Sequence, residues 1–184
     1  MSRVTVSEEE VRLIRRARGG DPAAFAEIYG RHHPAIYRYI LFQVGDRAAA
    51  EDLAGEVFVR MVEQIDRFPH RGRPLLAWLY TIASNLVADH RGRNGRPTPV
   101  LRDEGLEANP VGQDAAGLTT SERRVAAALQ ELTEAQRQVV VLKLFEGLDN
   151  QTVATIVDEP VGAVKSLQHQ GLATLRRVFE REDD

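Results

Sequence analysis

The chain has 184 residues, 43% of them hydrophobic and 28% charged; 24 Lys plus Arg stand against 27 Asp plus Glu, a formal net charge of −3, and there is no cysteine. That length allows one domain or two small ones, and the lack of cysteine excludes a disulfide scaffold, a thiolate zinc site and a cysteine nucleophile. The near-neutral total argues, taken alone, against a protein that lives on DNA. No apolar run nears the ~18 residues of a membrane span, and the polar start is no signal peptide, so a cytoplasmic protein without membrane insertion is expected.

The Val and Ile residues fall into helical spacing rather than alternation, which predicts an all-α chain. Ser7 with Glu10 reads as a capping box opening a short helix through Val11, Ile14 and Ala17, which Gly19 and Gly20 stop. Asp21-Pro22 reads as an N-cap with proline at the first helical position. Phe25, Ile28, Tyr29, Ile36, Tyr37, Ile40 and Val44 then recur on one face up to Gly45. Asp46 caps a third helix, with Leu53, Val57, Met61 and Ile65 inward and Glu51, Asp52, Glu56 and Glu63 outward. After a loop from Phe68 to Pro74, a fourth helix carries Leu75, Leu79, Ile82 and Leu86, with Trp78 beside them, and runs into Arg91, Arg93 and Arg96.

Composition then shifts. From Pro97 to Ser121 there are three prolines, three glycines and no sustained periodicity, the mark of a flexible linker. The expected division is a domain over 1–95, a linker over 96–121 and a second domain over 122–184. In the second, Val125, Ala128, Leu129 and Leu132 form a short apolar face, and Thr133 with Gln136 caps a helix running through Val139 to Phe145 and stopped by Gly147. A short helix from Gln151 to Val157, the turn Asp158-Glu159-Pro160 and a long helix from Val161 to about Glu180 fit a helix-turn-helix, with small Ala154 at the crossing and Asp158 able to take positive φ.

Lys165, Ser166, Gln168, His169 and Gln170 on the last helix suit base edges and a phosphate, although a merely solvated face has the same composition. Phe68, Trp78 and Tyr80 among His70, Arg71, Arg73, Arg91, Arg93 and Arg96 mix stacking surfaces with phosphate-binding charge, Trp78 itself fitting the core better. Asn85 puts an amide in an otherwise apolar stretch, where it needs a partner from backbone or an unstacked base. The acidic face of the third helix either solvates or docks a basic partner. His32-His33 and Asp89-His90 make a poor metal-hydrolase site, since adjacent histidines point to different faces and no further ligand cluster exists. No catalytic, metal or cofactor site is expected.

Three blocks in order carry a family resemblance: Glu51-Asp52-Leu53 with Glu56-Val57-Phe58; Ala77 to Asn85 with Asp89-His90-Arg91; and Leu132 to Arg137 with Pro160 to Ser166. From Asp21 to Arg177 the chain resembles the bacterial sigma factors of the extracytoplasmic-function group, which have only sigma domains two and four. The resemblance implies a promoter-specificity subunit, not an enzyme, that binds core RNA polymerase and promoter DNA, with an anti-sigma protein as a further partner. It implies that Glu51, Asp52 and Glu56 meet the clamp helices of the largest polymerase subunit. Arg60, Phe68, Arg71, Arg73, Thr81, Ile82, Asn85, Arg91 and Arg93 would serve the minus-ten element. Lys143, Asn150, Gln151, Lys165, Ser166, His169 and Gln170 would serve the minus-thirty-five element. The acidic linker residues Asp103, Glu104 and Glu107 would thread toward the active site and RNA exit path. The chain departs from the family at Leu167 and Gln170, where arginine is common, and at Arg73-Pro74-Leu75 before Trp78. The alternative is a stand-alone dimeric helix-turn-helix regulator. Split along the chain, residues 1–95 carry 14 basic and 12 acidic side chains, 96–121 carry 2 and 4, and 122–184 carry 8 and 11, so no domain is basic and placement has to supply any DNA affinity.

Overall fold

A computed structural model describes residues 6–69, 72–94 and 119–182. The linker expected over 96–121 lies outside the described residues apart from its last three. All regular elements described are helical, and none is long and apolar enough to cross a membrane.

Helix α1 spans Glu8–Arg18, with the Ser7 hydroxyl accepting the Glu10 N–H at 3.1 Å. The expected reciprocal half of that capping box is missing for a clear reason. The Glu10 carboxylate instead accepts the N–H of Leu75 at 2.6 Å. Leu75 opens α4 (Leu75–Asn94), and Pro74 before it has no side chain that could cap, so an acid from α1 satisfies one of the orphan donors of the later helix. Helix α2, Pro22–Val44, starts on the Asp21 cap and stops at Gly45, whose φ of 69° is cheap only for glycine. Helix α3, Arg47–Gln64, follows the Asp46 cap and ends in a single 3₁₀ turn, Ile65–Arg67. Its buried residues are Ala50, Ala54, Val57, Phe58 and Met61, while Glu51, Asp52, Glu56 and Glu63 face solvent as the sequence predicts. Tyr29, expected on the apolar face of α2, is exposed.

The second half opens with α5, Thr120–Gln130, behind a capping box between Thr119 and Glu122, so helix begins slightly before the expected linker ends. Thr133 and Gln136 form the expected reciprocal box at the start of α6, Glu134–Val140. The helix does not continue in α register to Phe145. Val141–Phe145 is a π-helical turn, followed by α7 (Asn150–Val157) and α8 (Val161–Glu182). The wider turn re-aims its last residues toward α2 and α4. There the Phe145 ring lies 5.0 Å from that of Phe42, the Tyr80 hydroxyl donates to Glu146, and Arg38 pairs with the same carboxylate at 3.2 Å.

The two halves therefore share one core. At its centre is the C-terminal end of α2, where Tyr39, Ile40, Leu41, Phe42, Gln43 and Val44 are six consecutive buried residues. A helix buried all round needs cover on every side. Helices α3 and α4 cover part of it, and α5, α6 and the π-helical turn cover the rest.

Helix α8 crosses α6 at Gly171, where a Cβ would sit 2.7 Å from Val140 Cγ2 and 3.4 Å from Leu132 Cδ2. Alanine normally gains about 1 kcal/mol over glycine inside a helix. Here the contact with Val140 should reverse the sign: Gly171→Ala is expected to destabilise the second half by ~1–2 kcal/mol through overpacking, and Gly171→Val by more. Urea unfolding monitored by circular dichroism checks this, and a stabilised Gly171→Ala would show that α6 and α8 can separate freely.

Candidate nucleic-acid and polymerase interfaces

The helix-turn-helix is set by three local choices. Asp149 caps α7 by accepting the Thr152 N–H at 2.8 Å, and this backbone hydrogen bond is the main cause that holds its carboxyl below the usual range. Asp158 ends α7 in the left-handed conformation, φ 55° and ψ 47°, as the sequence predicts, and is the one non-glycine residue with positive φ among the described residues. The Glu159 N–H then reaches back to the Ala154 carbonyl at 3.0 Å, and Val164 N–H bonds to Pro160 at 3.1 Å to start α8. Val153, Ala154, Ile156 and Val164 are buried where α7 meets α8.

That packing leaves Lys165, Ser166, His169 and Gln170 exposed along α8. Gln170 is steadied at both ends: its amide donates to Ser166 Oγ at 3.4 Å and its carbonyl accepts from Gln136 at 3.4 Å. Gln151 is exposed, and Lys143 and Asn150 are half-buried, the Asn150 Oδ1 having no partner. Gln168 and Leu167 are half-buried, so four of the five predicted polar residues of α8 stay exposed.

Around α4 the predicted residues divide. Asn85 is exposed. Phe68 is 2% exposed, its ring centre 4.8 Å from that of Trp78, and Ile82 is 7% exposed, so both serve the core. The Arg18 guanidinium fixes the turn before the loop by donating to the Ile65 and Phe68 carbonyls. Thr81 spends its hydroxyl on the Ala77 carbonyl at 3.2 Å. Arg73 is half-buried, Arg93 is exposed, and Arg71 lies outside the described residues. Arg60 pairs with Glu56 at 3.2 Å, and Asp52, Glu56, Arg60, His90 and Arg93 line one groove between α3 and α4. Acidic and basic candidates thus adjoin there. On the outer face of α3, Val59 and Val62 are about half exposed in helical register with Asp52, Glu56 and Glu63, a strip the sequence reading passed over. His32 is half-buried, burial lowering its pKa, whereas His33 stacks among Tyr29, Tyr37 and Phe58, so the two histidines part as expected.

Arg91 has another task. It donates to the Gln43 carbonyl and pairs with Glu134 at 2.9 Å, its side chain 10% exposed. Arg137, 6% exposed, donates to the carbonyls of Leu129 at 2.8 Å, Leu132 at 3.0 Å and, across the junction, Gln43 at 2.8 Å. Burial, with Arg91 close by, lowers its pKa to about 10, which still leaves it fully charged at neutral pH. Gln130 adds a bond to the Phe42 carbonyl at 3.1 Å and Gln138 one to Ser84 at 3.3 Å.

Residues 28–97 match the family Sigma-70 region 2 and residues 122–175 match Sigma-70, region 4. The chain is 35% identical over 176 residues to the ECF RNA polymerase sigma factor BldN of Streptomyces coelicolor, covering 94% of this chain and 67% of that one. It is 31% identical over 176 residues to the ECF RNA polymerase sigma factor SigW of Bacillus subtilis, covering 89% and 93%. Two solved structures share the fold with TM-scores of 0.69 at 22% identity: CnrH in complex with the cytosolic domain of CnrY, covering 92% of this chain and 96% of that one, and RpoE in complex with the anti-sigma factor NepR from Bartonella quintana, covering 85% and 96%. A two-domain helical chain with region 2 ahead of a region 4 helix-turn-helix is an RNA polymerase sigma factor. The chain belongs to the extracytoplasmic-function (ECF) family of these factors.

The left-handed Asp158 gives a direct test of the turn. Asp158→Gly should keep or raise stability, by up to about 1 kcal/mol, because glycine bears no Cβ penalty there, whereas Asp158→Val should lower it by ~1–2 kcal/mol. Thermal unfolding of the pair reads this; equal stability of the two variants would remove the left-handed requirement.

Proposed function

We propose that this sigma factor directs core RNA polymerase to promoters through three surfaces, without catalysis of its own. Glu51, Asp52 and Glu56 dock on the clamp helices of the largest polymerase subunit, the half-exposed Val59 and Val62 extending the contact. Asn85, with Arg73 and Arg93 for phosphates, takes a flipped base of the minus-ten element, whose whole edge is open to reading once it leaves the stack. Lys165, Ser166, His169 and Gln170, with Gln151 at the start of α7, read the minus-thirty-five element in the major groove. The observation that carries this reading is the outward polar strip of α8, set by a helix-turn-helix in which Val153, Ala154, Ile156 and Val164 face the core.

Phe68 and Ile82 support the minus-ten site from inside the core. Arg60 and Arg91 are engaged within the chain and become available to DNA only if those pairs are exchanged. The missing arginines at Leu167 and Gln170 weaken phosphate or guanine contact in the minus-thirty-five site. An anti-sigma protein, as in the RpoE–NepR complex, is the expected regulator. The region 2 match speaks against a stand-alone dimeric regulator, which would need only the helix-turn-helix half.

Run-off transcription with purified core enzyme on a promoter library tests the assignment, which fails if no transcript depends on the added chain. Asn85→Ala should leave binding to core polymerase unchanged and reduce open-complex formation about tenfold or more, by the loss of a bidentate base contact worth ~1–3 kcal/mol. Permanganate footprinting and a core-binding titration separate the two. Parallel loss in both would assign Asn85 to folding instead.

A further inference from the structure

Helix α1 lies outside the match to region 2, which begins at residue 28, yet it reaches the minus-ten side of the molecule at two points. Glu10, Leu13, Ile14, Ala17 and Arg18 follow the spacing of a single helical stripe, i, i+3, i+4, i+7 and i+8. The middle of the stripe is apolar, and Leu13, Ile14 and Ala17 are buried in the core. Its two ends are charged, and both bond the backbone of a distant part of the chain. At one end the Arg18 guanidinium donates to the Ile65 carbonyl at 3.2 Å and to the Phe68 carbonyl, where the 3₁₀ turn after α3 finishes. At the other end the Glu10 carboxylate accepts the Leu75 N–H at 2.6 Å, where α4 starts. Eight residues, ~12 Å of helix axis, separate the two anchors. One rod, itself tied to α2 through the Glu9–Arg31 ion pair, thus fixes the backbone on either side of Arg73.

The charge of Glu10 shows that more than a helix cap is involved. A carboxylate suits the orphan donors of a helix start. Yet Leu75 stands only two residues after half-buried Arg73, and an acid beside a DNA-facing cation repels phosphate. By charge alone, then, removing Glu10 would strengthen DNA binding. The geometry that Glu10 imposes has to outweigh that repulsion, and it can do so through order: a segment already fixed in the free protein loses less conformational freedom when it binds.

We propose that α1 is a splint for minus-ten recognition, in which Glu10 and Arg18 are positioning residues that present Arg73 to a phosphate of the opened strand. The proposal rests on the minus-ten reading of Arg73 given above. Glu10 and Arg18 touch no DNA in it; they act through the backbone at Phe68 and Leu75.

The test uses holoenzyme reconstituted from core polymerase and the full chain, with a fluorescent single-stranded oligonucleotide carrying the minus-ten sequence of a promoter obtained by run-off transcription. Glu10→Ala and Arg18→Ala should bind core as the unaltered chain does and bind the oligonucleotide about fivefold more weakly, the effect of one side chain left to be ordered on binding. The salt slope of oligonucleotide binding should fall in magnitude by about 0.7 for Glu10→Ala, the share of one single-strand phosphate. Glu10→Gln keeps an oxygen that can accept the Leu75 N–H and should restore binding. Arg73→Ala should weaken oligonucleotide binding in the unaltered chain and have little further effect in the Glu10→Ala chain, the non-additivity expected of residues that act as one unit. The splint is overturned if Glu10→Ala binds the oligonucleotide equally or more tightly, as charge alone dictates, if the Glu10 and Arg73 effects simply multiply, or if core affinity falls in parallel. If the unaltered holoenzyme fails to bind the oligonucleotide, the minus-ten reading fails and takes the role of Arg73 with it. Hydrogen exchange at the Leu75 amide of the free chain still decides whether the splint exists: exchange about fivefold faster in Glu10→Ala but not in Glu10→Gln supports it, and equal exchange in both overturns it.

Discussion

The carbonyl of Gln43 is where the two halves of the molecule meet. It lies at the C-terminal end of a 23-residue helix, where unsatisfied carbonyls carry the equivalent of about half a negative charge, yet the last turn of α2 contains no basic residue. The compensating charge arrives from elsewhere in the chain, from Arg91 on α4 and from Arg137 on α6. A charge-assisted hydrogen bond of this kind is shorter and stronger than a neutral one, and two of them converge on a single acceptor. Arg137 also closes the end of α5 through Leu129 and Leu132, so one guanidinium terminates helices in both halves. The planar fork of arginine presents its donors to these carbonyls in a pre-organised geometry, whereas a lysine there would bury a more strongly hydrated, compact charge.

From that junction the rest of the arrangement follows. With the end of α2 fixed, α6 must run past it, and the π-helical turn supplies the rotation that brings Phe145 and Glu146 onto Phe42 and Tyr80. Tyr80 is buried beside a carboxylate, and both burial and that neighbour raise its pKa, so the hydroxyl stays a donor throughout the physiological range. The close crossing at Gly171 then holds α8 against α6, and so the orientation of the DNA-reading strip is tied back to the end of α2 through two helix contacts. Glu10 and Arg18 do a similar service at the other side of the first half, one capping α4 and the other fixing the turn that leads into the minus-ten loop.

Much of this was legible in the sequence wherever the cause is local. N-caps at Ser7, Asp21, Asp46 and Thr133, the stop at Gly45 and the left-handed Asp158 all depend on residues within a turn of each other. The outward acids of α3 and the polar strip of α8 follow from helical period alone. The departures have non-local causes. The Glu10 carboxylate serves the uncapped N–H of α4 instead of its own helix, and Tyr29 is exposed although helical register puts it on the apolar edge of α2. The run Tyr39-Ile40-Leu41-Phe42-Gln43-Val44 did carry a signal for the junction. It is apolar on all faces of a helix, which a domain with one-sided packing would not need, and only knowledge of what lay on the far side was missing.

The distribution of the basic residues bears on DNA affinity more than their total does. Of the described arginines, Arg18, Arg91 and Arg137 are committed to backbone carbonyls and Arg16, Arg31, Arg38, Arg47, Arg60, Arg124 and Arg176 to carboxylates. Exposed pairs of this kind are worth little to stability, but the paired carboxylate offsets part of the pull of its arginine on a phosphate. The chain has just two lysines, Lys143 and Lys165, and both belong to the helix-turn-helix half, where a hydrated point charge on a flexible stem suits a phosphate better than a carbonyl. Since each neutralised phosphate contributes about one unit to the salt dependence of binding, every described arginine committed to a carboxylate lowers the number of counterions the chain can release on duplex DNA. The net charge of −3 is therefore a fair guide to how the isolated chain behaves and a poor guide to its role, because on a polymerase most of the phosphate contact can come from the larger partner and the sigma factor has only to supply base recognition.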